Sequence, residues 1–328
     1  MDLINLPDIK TKLTRAETDH ALAGRIWRAI RRQATAAPDE HAWFVPFAAA
    51  VTDSEPLHVE AKRILLNYLD ALEAGALASS VQFHFWCYAF PHARWAVWFD
   101  LVRHSPVWSA AEAQEAAARF VLLQHAHFHS GMLVKPTPEC VDNQTASLVL
   151  SSLLVGELFA QAPGEGRLAR AMRDEALARA PRMIGGMPAS GYSGEGSTYQ
   201  GTIVAYLVPL LVEALARIDG GDWLDRPCEP NGTTARAILE MTARIWQPSG
   251  LLLPWDDYGY QFGLKSPLAY LARRTGEPRY LRMLESANWA NNRPAGWGYD
   301  DPVWALVHWP EDLSAGGVRR PLAELGGR

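Results

Sequence analysis

Apolar residues recur along most of this chain at three- and four-residue spacing. Leu148, Leu150, Leu153, Leu154 and Leu158 form one such set, and Leu207, Leu210, Leu211 and Leu215 another. That spacing lines one side of an α-helix. It predicts helices near residues 17–35, 57–75, 83–103, 109–129, 143–161, 166–181, 198–217, 233–247, 264–275 and 278–288. Ala, Leu, Glu and Arg dominate these windows, and all four are favourable in helix interiors. The period-two alternation of a half-buried strand is nearly absent.

The breaks between these segments are short and carry punctuation: Ser105-Pro106, Ala162-Pro163-Gly164, Gly185-Gly186, Gly220-Gly221 and Gly276-Glu277-Pro278. Short loops make consecutive helices antiparallel neighbours, so the chain reads as hairpins of roughly 45–55 residues each. About six such hairpins close a ring. The expected fold is all-α, an (α/α) toroid that is an incomplete or near-complete six-hairpin barrel. No sequence motif repeats at a fixed period, which argues against a regular solenoid. No Ser/Gly/Pro-rich linker divides the chain, so residues 1–328 are read as one domain.

Composition narrows the function classes. Hydrophobic residues make up 48% and charged residues 20%, the mix of a folded soluble protein. A net charge of −5, without a Lys/Arg-rich run, argues against nucleic-acid binding. The three cysteines, Cys87, Cys140 and Cys228, form no CxxC pair and no disulfide framework. The N-terminus MDLINLPDIKTKLTRAE lacks a signal-length apolar stretch, and no run of about 18 apolar residues suits a membrane span. The chain as it stands is expected to be cytoplasmic, or periplasmic if a leader was removed. Its 13 tryptophans are unusual. Most belong in a core, but indole faces also stack on sugar rings.

Three loops are longer and richer in polar and aromatic residues than the rest: 130–143, 185–199 and 248–263. Loops of this length without structure of their own are commonly functional. About one hairpin separates each from the next, so in a ring they emerge at the same end. The first ends in Asp142-Asn143-Gln144. Asp142 or Asn143 suits an N-cap, and the same helix start favours an anion, to which the Asn143 and Gln144 amides can donate. The second contains Gly191-Tyr192-Ser193-Gly194-Glu195-Gly196-Ser197-Thr198-Tyr199. Glu195 is either a first-turn acid or an active-site carboxylate, and Tyr192 and Tyr199 are either packed aromatics or reactive hydroxyls. The third carries Trp255-Asp256-Asp257-Tyr258, either a turn with local acceptors or a surface for hydroxyl-rich ligands.

The His125-Ala-His127-Phe-His129 run places two histidines one helical turn apart, but lacks the intervening Glu of a HExxH zinc site, and no metal is assigned. His84, Trp86, His92, Arg94, Trp95 and Trp98 suit a groove wall and core. Arg94 is a candidate carboxylate partner because its guanidinium binds in two-pronged fashion, and Trp95 a candidate stacking surface.

Taken together, Asn143-Gln144, the Gly-Tyr-x-x-Glu-Gly-Ser-x-Tyr stretch ending at Tyr199 and the Pro-Trp-Asp-Asp loop at 254–257 resemble the helical domain of the heparinase II/III-like polysaccharide lyase superfamily, which includes oligo-alginate lyases. The likeness spans roughly residues 85–290. It implies an (α/α) toroid acting by β-elimination on uronic-acid polysaccharides or oligosaccharides, without a cofactor. In that family an Asn, usually followed by His, neutralises the uronate carboxylate, and a Tyr at the position of Tyr199 moves protons. Asn143 and Tyr199 match, and Gln144 replaces the usual His. The family also carries a C-terminal β-sandwich with a further catalytic histidine, and no strand-rich region follows here.

The residue types suit that chemistry on their own terms. Removing a proton alpha to a carboxylate requires its charge to be masked as the enolate develops, which amides and a cation accomplish. A tyrosine with an unperturbed pKa near 10 needs nearby positive charge to act as base, for which Arg94 and a histidine of 125–129 are candidates. Two competing readings remain. One is an (α/α)-barrel glycoside hydrolase using Glu195 with Asp256 or Asp257 as acid and base. The other is a non-catalytic carbohydrate-binding domain.

Overall fold

The computed structural model describes residues 4–18, 22–75, 89–134, 143–192, 205–247, 265–287 and 301–310. Those residues are all-helical, apart from one isolated bridge between Cys228 and Thr233. The helices are α1 (Leu6–Thr18), α2 (Leu22–Ala36), α3 (Val45–Thr52), α4 (Glu55–Glu73), α5 (Ala89–Val102), α6 (Ala110–Leu123), α7 (Ser130–Val134), α8 (Asn143–Leu158), α9 (Gly166–Gly186), α10 (Ala205–Asp219), α11 (Ala235–Arg244), α12 (Ser266–Thr275), α13 (Pro278–Ser286) and α14 (Asp301–Val307). A π turn, Gln124–His129, joins α6 to α7.

Two kinds of helix alternate. Helices α3, α5, α14 and the first seven residues of α12 are buried on nearly every side, as are the described side chains of α8 from Thr145 to Val155 and of α10 from Leu207 to Val212. Their buried positions are mostly apolar on every side, as suits a helix enclosed by other helices, with His92 and Arg94 of α5 and the hydroxyl residues of α8 among the polar exceptions. Helices α4, α6, α9, α11 and α13 are amphipathic and bury one face. The enclosed helices pack in succession: α3 on α5, α5 on α8, α8 on α10, α10 on α12, α12 on α14. From α14 the packing passes to α2, which returns to α3. Lys12 of α1 fastens this return by donating to the Val307 and Trp309 carbonyls at 3.2 and 2.9 Å.

Several predicted boundaries hold because local chemistry sets them. Ser109 and Glu112 form a reciprocal capping box that starts α6. Thr234 caps α11, and Gly276, at φ 69°, ends α12 in the left-handed conformation glycine tolerates best. Three departures are informative. Helix α3 has no polar face, so it shows no amphipathic period. Helix α9 runs through Pro181, past the predicted end near 181, and stops at Gly186, within the Gly185-Gly186 pair read as a break. The backbone of Cys228 and Glu229 lies so close to Gly185 that a Cβ there would meet the Glu229 carbonyl oxygen at 1.9 Å. Helices α1 and α14 also add to the predicted set, being short segments at the two ends of the pattern.

Candidate functional site

The enclosed helices begin at a shared end wherever pairs of them are in view. Trp43, just ahead of α3, stacks on Trp95 in the second turn of α5 with centroids 3.9 Å apart. Near the other end of α5, Phe99 and Arg103 reach Phe159, just after α8. Ala146 and Leu150 of α8 face Leu207, Val208 and Leu211 of α10, leaving a gap of about 10 Å³. Asp301, the first residue of α14, accepts hydrogen bonds at 2.9–3.0 Å from the Lys265 and Ser266 amides at the start of α12.

Buried polar groups collect toward these starts. His92, Arg94, Thr145, Ser147, Lys265, Ser266 and Asp301 are all buried within the first turn or two of an enclosed helix. Free first-turn amides and the aligned peptide dipoles make such ends favourable to negative charge. Asp301 answers that demand at α12. Burial lowers the pKa of the Lys265 ammonium, and the Asp301 carboxylate opposes that shift.

At α5 the buried polar side chains face groups of the protein itself. The imidazole of His92 lies 3.0 Å from the Phe120 carbonyl through Nε2 and 2.9 Å from the Tyr68 hydroxyl through Nδ1. A carbonyl only accepts, so Nε2 carries the proton and Tyr68 donates to Nδ1. Burial pushes this imidazole down to about 4, partly offset by the bond to Phe120. Arg94 is 1% exposed, with its guanidinium carbon 4.6 Å from the Trp43 ring centroid and 4.9 Å from that of Phe90. Trp95 is 5% exposed and packed between Trp43 and Tyr68. Both predicted wall residues therefore stand behind Trp43, which keeps part of its own surface open.

The second loop is pinned where it begins. Asn231 donates through its side chain to the Gly186 and Met187 carbonyls, each at 3.2 Å, and Thr233 donates to Met187 as well. Gly191, at φ 78°, presses on the backbone of Ala237, where a Cβ would approach within 2.3 Å. Only glycine meets both demands. Tyr192, the next residue, is half-buried. The stretch Gly-Tyr therefore leaves the first turn of α11 from a fixed point.

Of the predicted site residues, Asn143 opens α8, Gln144 follows it half-buried, and Arg94, Trp95 and Tyr192 stand as just described. Tyr199, Glu195, Trp255, Asp256, Asp257 and Tyr258 lie outside the described residues, as do Asp142, His84 and Trp86. The histidine run lies elsewhere, on the π turn. His125 is exposed and its ring centroid is 5.9 Å from that of buried His129, whose Nδ1 is 3.2 Å from the Ser152 hydroxyl. Among the described residues no group of three His, Cys, Asp or Glu side chains is placed to hold a metal, and no helix is long and apolar enough to cross a membrane. Sequence reasoning missed Trp43, Tyr68, Lys265 and Asp301. Asp301-Pro302 ahead of an apolar run was a usable helix-start signal for the last of these.

No protein-family model matches this chain, and no curated protein or solved structure matches it either.

Proposed function

We propose that the chain is an (α/α) toroid of helical hairpins whose shared helix-start end binds and cleaves uronic-acid polysaccharide or oligosaccharide by β-elimination. The carrying observation is the position of Asn143 and Gln144 at the start of enclosed helix α8, on the side where its packed neighbours α5 and α10 also begin. The succession of packed helices returning through α2 supports the toroid. Positive helix ends and amide donors suit a uronate carboxylate whose charge grows as its alpha proton leaves. Asn143 and Gln144 supply the amides, and Tyr199 removes the proton and returns it to the leaving oxygen. Tyr192, Glu195, Trp255, Asp256, Asp257 and Tyr258 line the groove, with Arg94 and Trp95 supporting it through Trp43. The resemblance of the three loop motifs to heparinase II/III-like lyases points the same way.

The test follows the ultraviolet absorbance of unsaturated uronate while the protein is incubated with alginate, heparan-type and other uronate polymers. The expected result is a rise on at least one polymer, lost by about 10²- to 10⁴-fold in Tyr199→Phe with binding retained. New reducing ends without unsaturation would instead indicate a hydrolase using Glu195 with Asp256 or Asp257. Binding without cleavage would indicate a carbohydrate-binding domain.

A further inference from the structure

The π turn is gripped at both ends by one pair of serines. Gln124, its first residue, donates through Nε2 to Ser151 Oγ at 3.0 Å and Ser152 Oγ at 3.2 Å. His129, its last residue, meets Ser152 Oγ through Nδ1 at 3.2 Å. Ser151 spends its own proton on the Leu148 carbonyl at 3.1 Å and therefore accepts from Gln124. Ser152 likewise accepts from Gln124, which leaves its proton for His129. The imidazole then carries its proton on Nε2. Gln124, Ser151, Ser152 and His129 are all buried.

A π turn is rare and needs surroundings that hold it. Its extra residue rotates everything beyond it by about 100° relative to an unbroken α-helix. What lies beyond is α7, whose Met132 carbonyl accepts from Arg179 of α9 at 3.2 Å, and then the stretch that leads to Asn143. Both serines belong to α8, the helix that Asn143 opens. The clasp thus ties the chain entering the first loop to the helix that leaves it.

We propose that Gln124 and His129 are positioning residues, which hold the π turn against Ser151 and Ser152 and so fix how Asn143 and Gln144 are presented to substrate. This role rests on the lyase reading above. Neither residue touches substrate. A displacement of about 1 Å at a substrate-orienting group can cost on the order of 10²-fold in rate.

The experiment compares Gln124→Leu, His129→Leu, His129→Asn and the milder Ser152→Ala with the wild-type protein. Asn places an amide oxygen near the Nδ1 position and keeps the acceptor for Ser152. Circular dichroism and melting report folding, hydrogen exchange reports residues 124–134 and 143–147, and kcat and KM are measured on the cleaved uronate polymer. The expected result is folded Leu variants with faster exchange in both segments and kcat/KM about 10- to 100-fold lower, with His129→Asn within about threefold of wild type. If the Leu variants do not fold, Ser152→Ala carries the same comparison. Wild-type exchange at 143–147 in folded variants that lack the clasp would overturn the proposal, as would unchanged kcat/KM. If the wild-type protein cleaves no uronate polymer, the lyase reading fails. The positioning of Asn143 then stands or falls on exchange at 143–147 alone.

Discussion

The two ends of the enclosed helices differ in what they bury. At their starts lie His92, Arg94, Thr145, Lys265 and Asp301, with cations, a carboxylate and hydroxyls inside the protein. Toward the far ends of α5 and α8, the rings of Phe99, Trp108, Phe120 and Phe159 pack against one another at centroid distances of 5.3–6.1 Å. The charges there are fewer: Arg103 is half-buried and paired to Asp100 at 2.8 Å, and His104 beside it is exposed. A cleft of about 300 Å³ opens between α6 and the end of α8, floored by Ala113, Ala117 and Leu158. Aromatic packing gains free energy wherever shapes fit, whereas buried charge is costly without partners. One end is built chiefly for stability, and the other retains costly polar groups as an anion-binding site would.

The largest expected effects come from removing one group at each end. Asp301→Ala strips the acceptors from α12 and leaves Lys265 without its neighbouring carboxylate, a loss of about 3–5 kcal/mol in urea unfolding. Phe159→Ala empties part of the aromatic end at a similar cost of about 3–5 kcal/mol. The comparison then sharpens on ligand binding. If the shared helix-start end binds uronate as proposed, Phe159→Ala below its unfolding midpoint keeps wild-type affinity for uronate oligomers, and wild-type affinity in Asp301→Ala as well would break the contrast.

Acid acts next. Burial lowers His92 to about 4 and His308 to about 3, against an ordinary value near 6.5. Between those values the unfolded chain binds protons that the folded protein excludes, so stability is full above about pH 6.5 and falls as pH drops toward 4. Each imidazole contributes about 1–2 kcal/mol of that loss by pH 5. Urea midpoints at pH 7 and pH 5 measure it, and a flat profile would mean that the folded protein binds these protons as readily as the unfolded chain. The smallest effect belongs to the cleft. Ala113→Leu adds apolar volume where space is open, with an expected stability change within about 0.5 kcal/mol and no effect on the proposed uronate cleavage. A loss of cleavage would show that the far end also serves the site.

The legibility of this protein in its sequence follows from how each feature is encoded. Helices α4, α6 and α13 declare themselves because one face is wet and the other dry. Helix α3, VPFAAAVT, is dry all round and carries no period to read. The Gly185-Gly186 pair reads as a break and α9 does end there, but the Cys228–Glu229 backbone that demands glycine at 185 is invisible in sequence. At the candidate site, Asn143-Gln144 and Gly191-Tyr192 were visible as polar punctuation opening apolar segments. Trp43 and Trp95 are 52 positions apart in sequence, so their stacking was not.

The sequence by itself determined the helical class, most of the helix boundaries and the polar punctuation that opens α8. All of these depend on residues within a turn or two of one another, where spacing and capping act. Only the tertiary structure decided which helices are enclosed, which of their ends lie together, and that Asp301 caps a helix begun 35 residues earlier. The same holds for the clasp of Gln124 and His129 on α8. Those pairings arise from the three-dimensional competition to bury apolar area while satisfying every buried donor and acceptor, and no local pattern encodes its outcome.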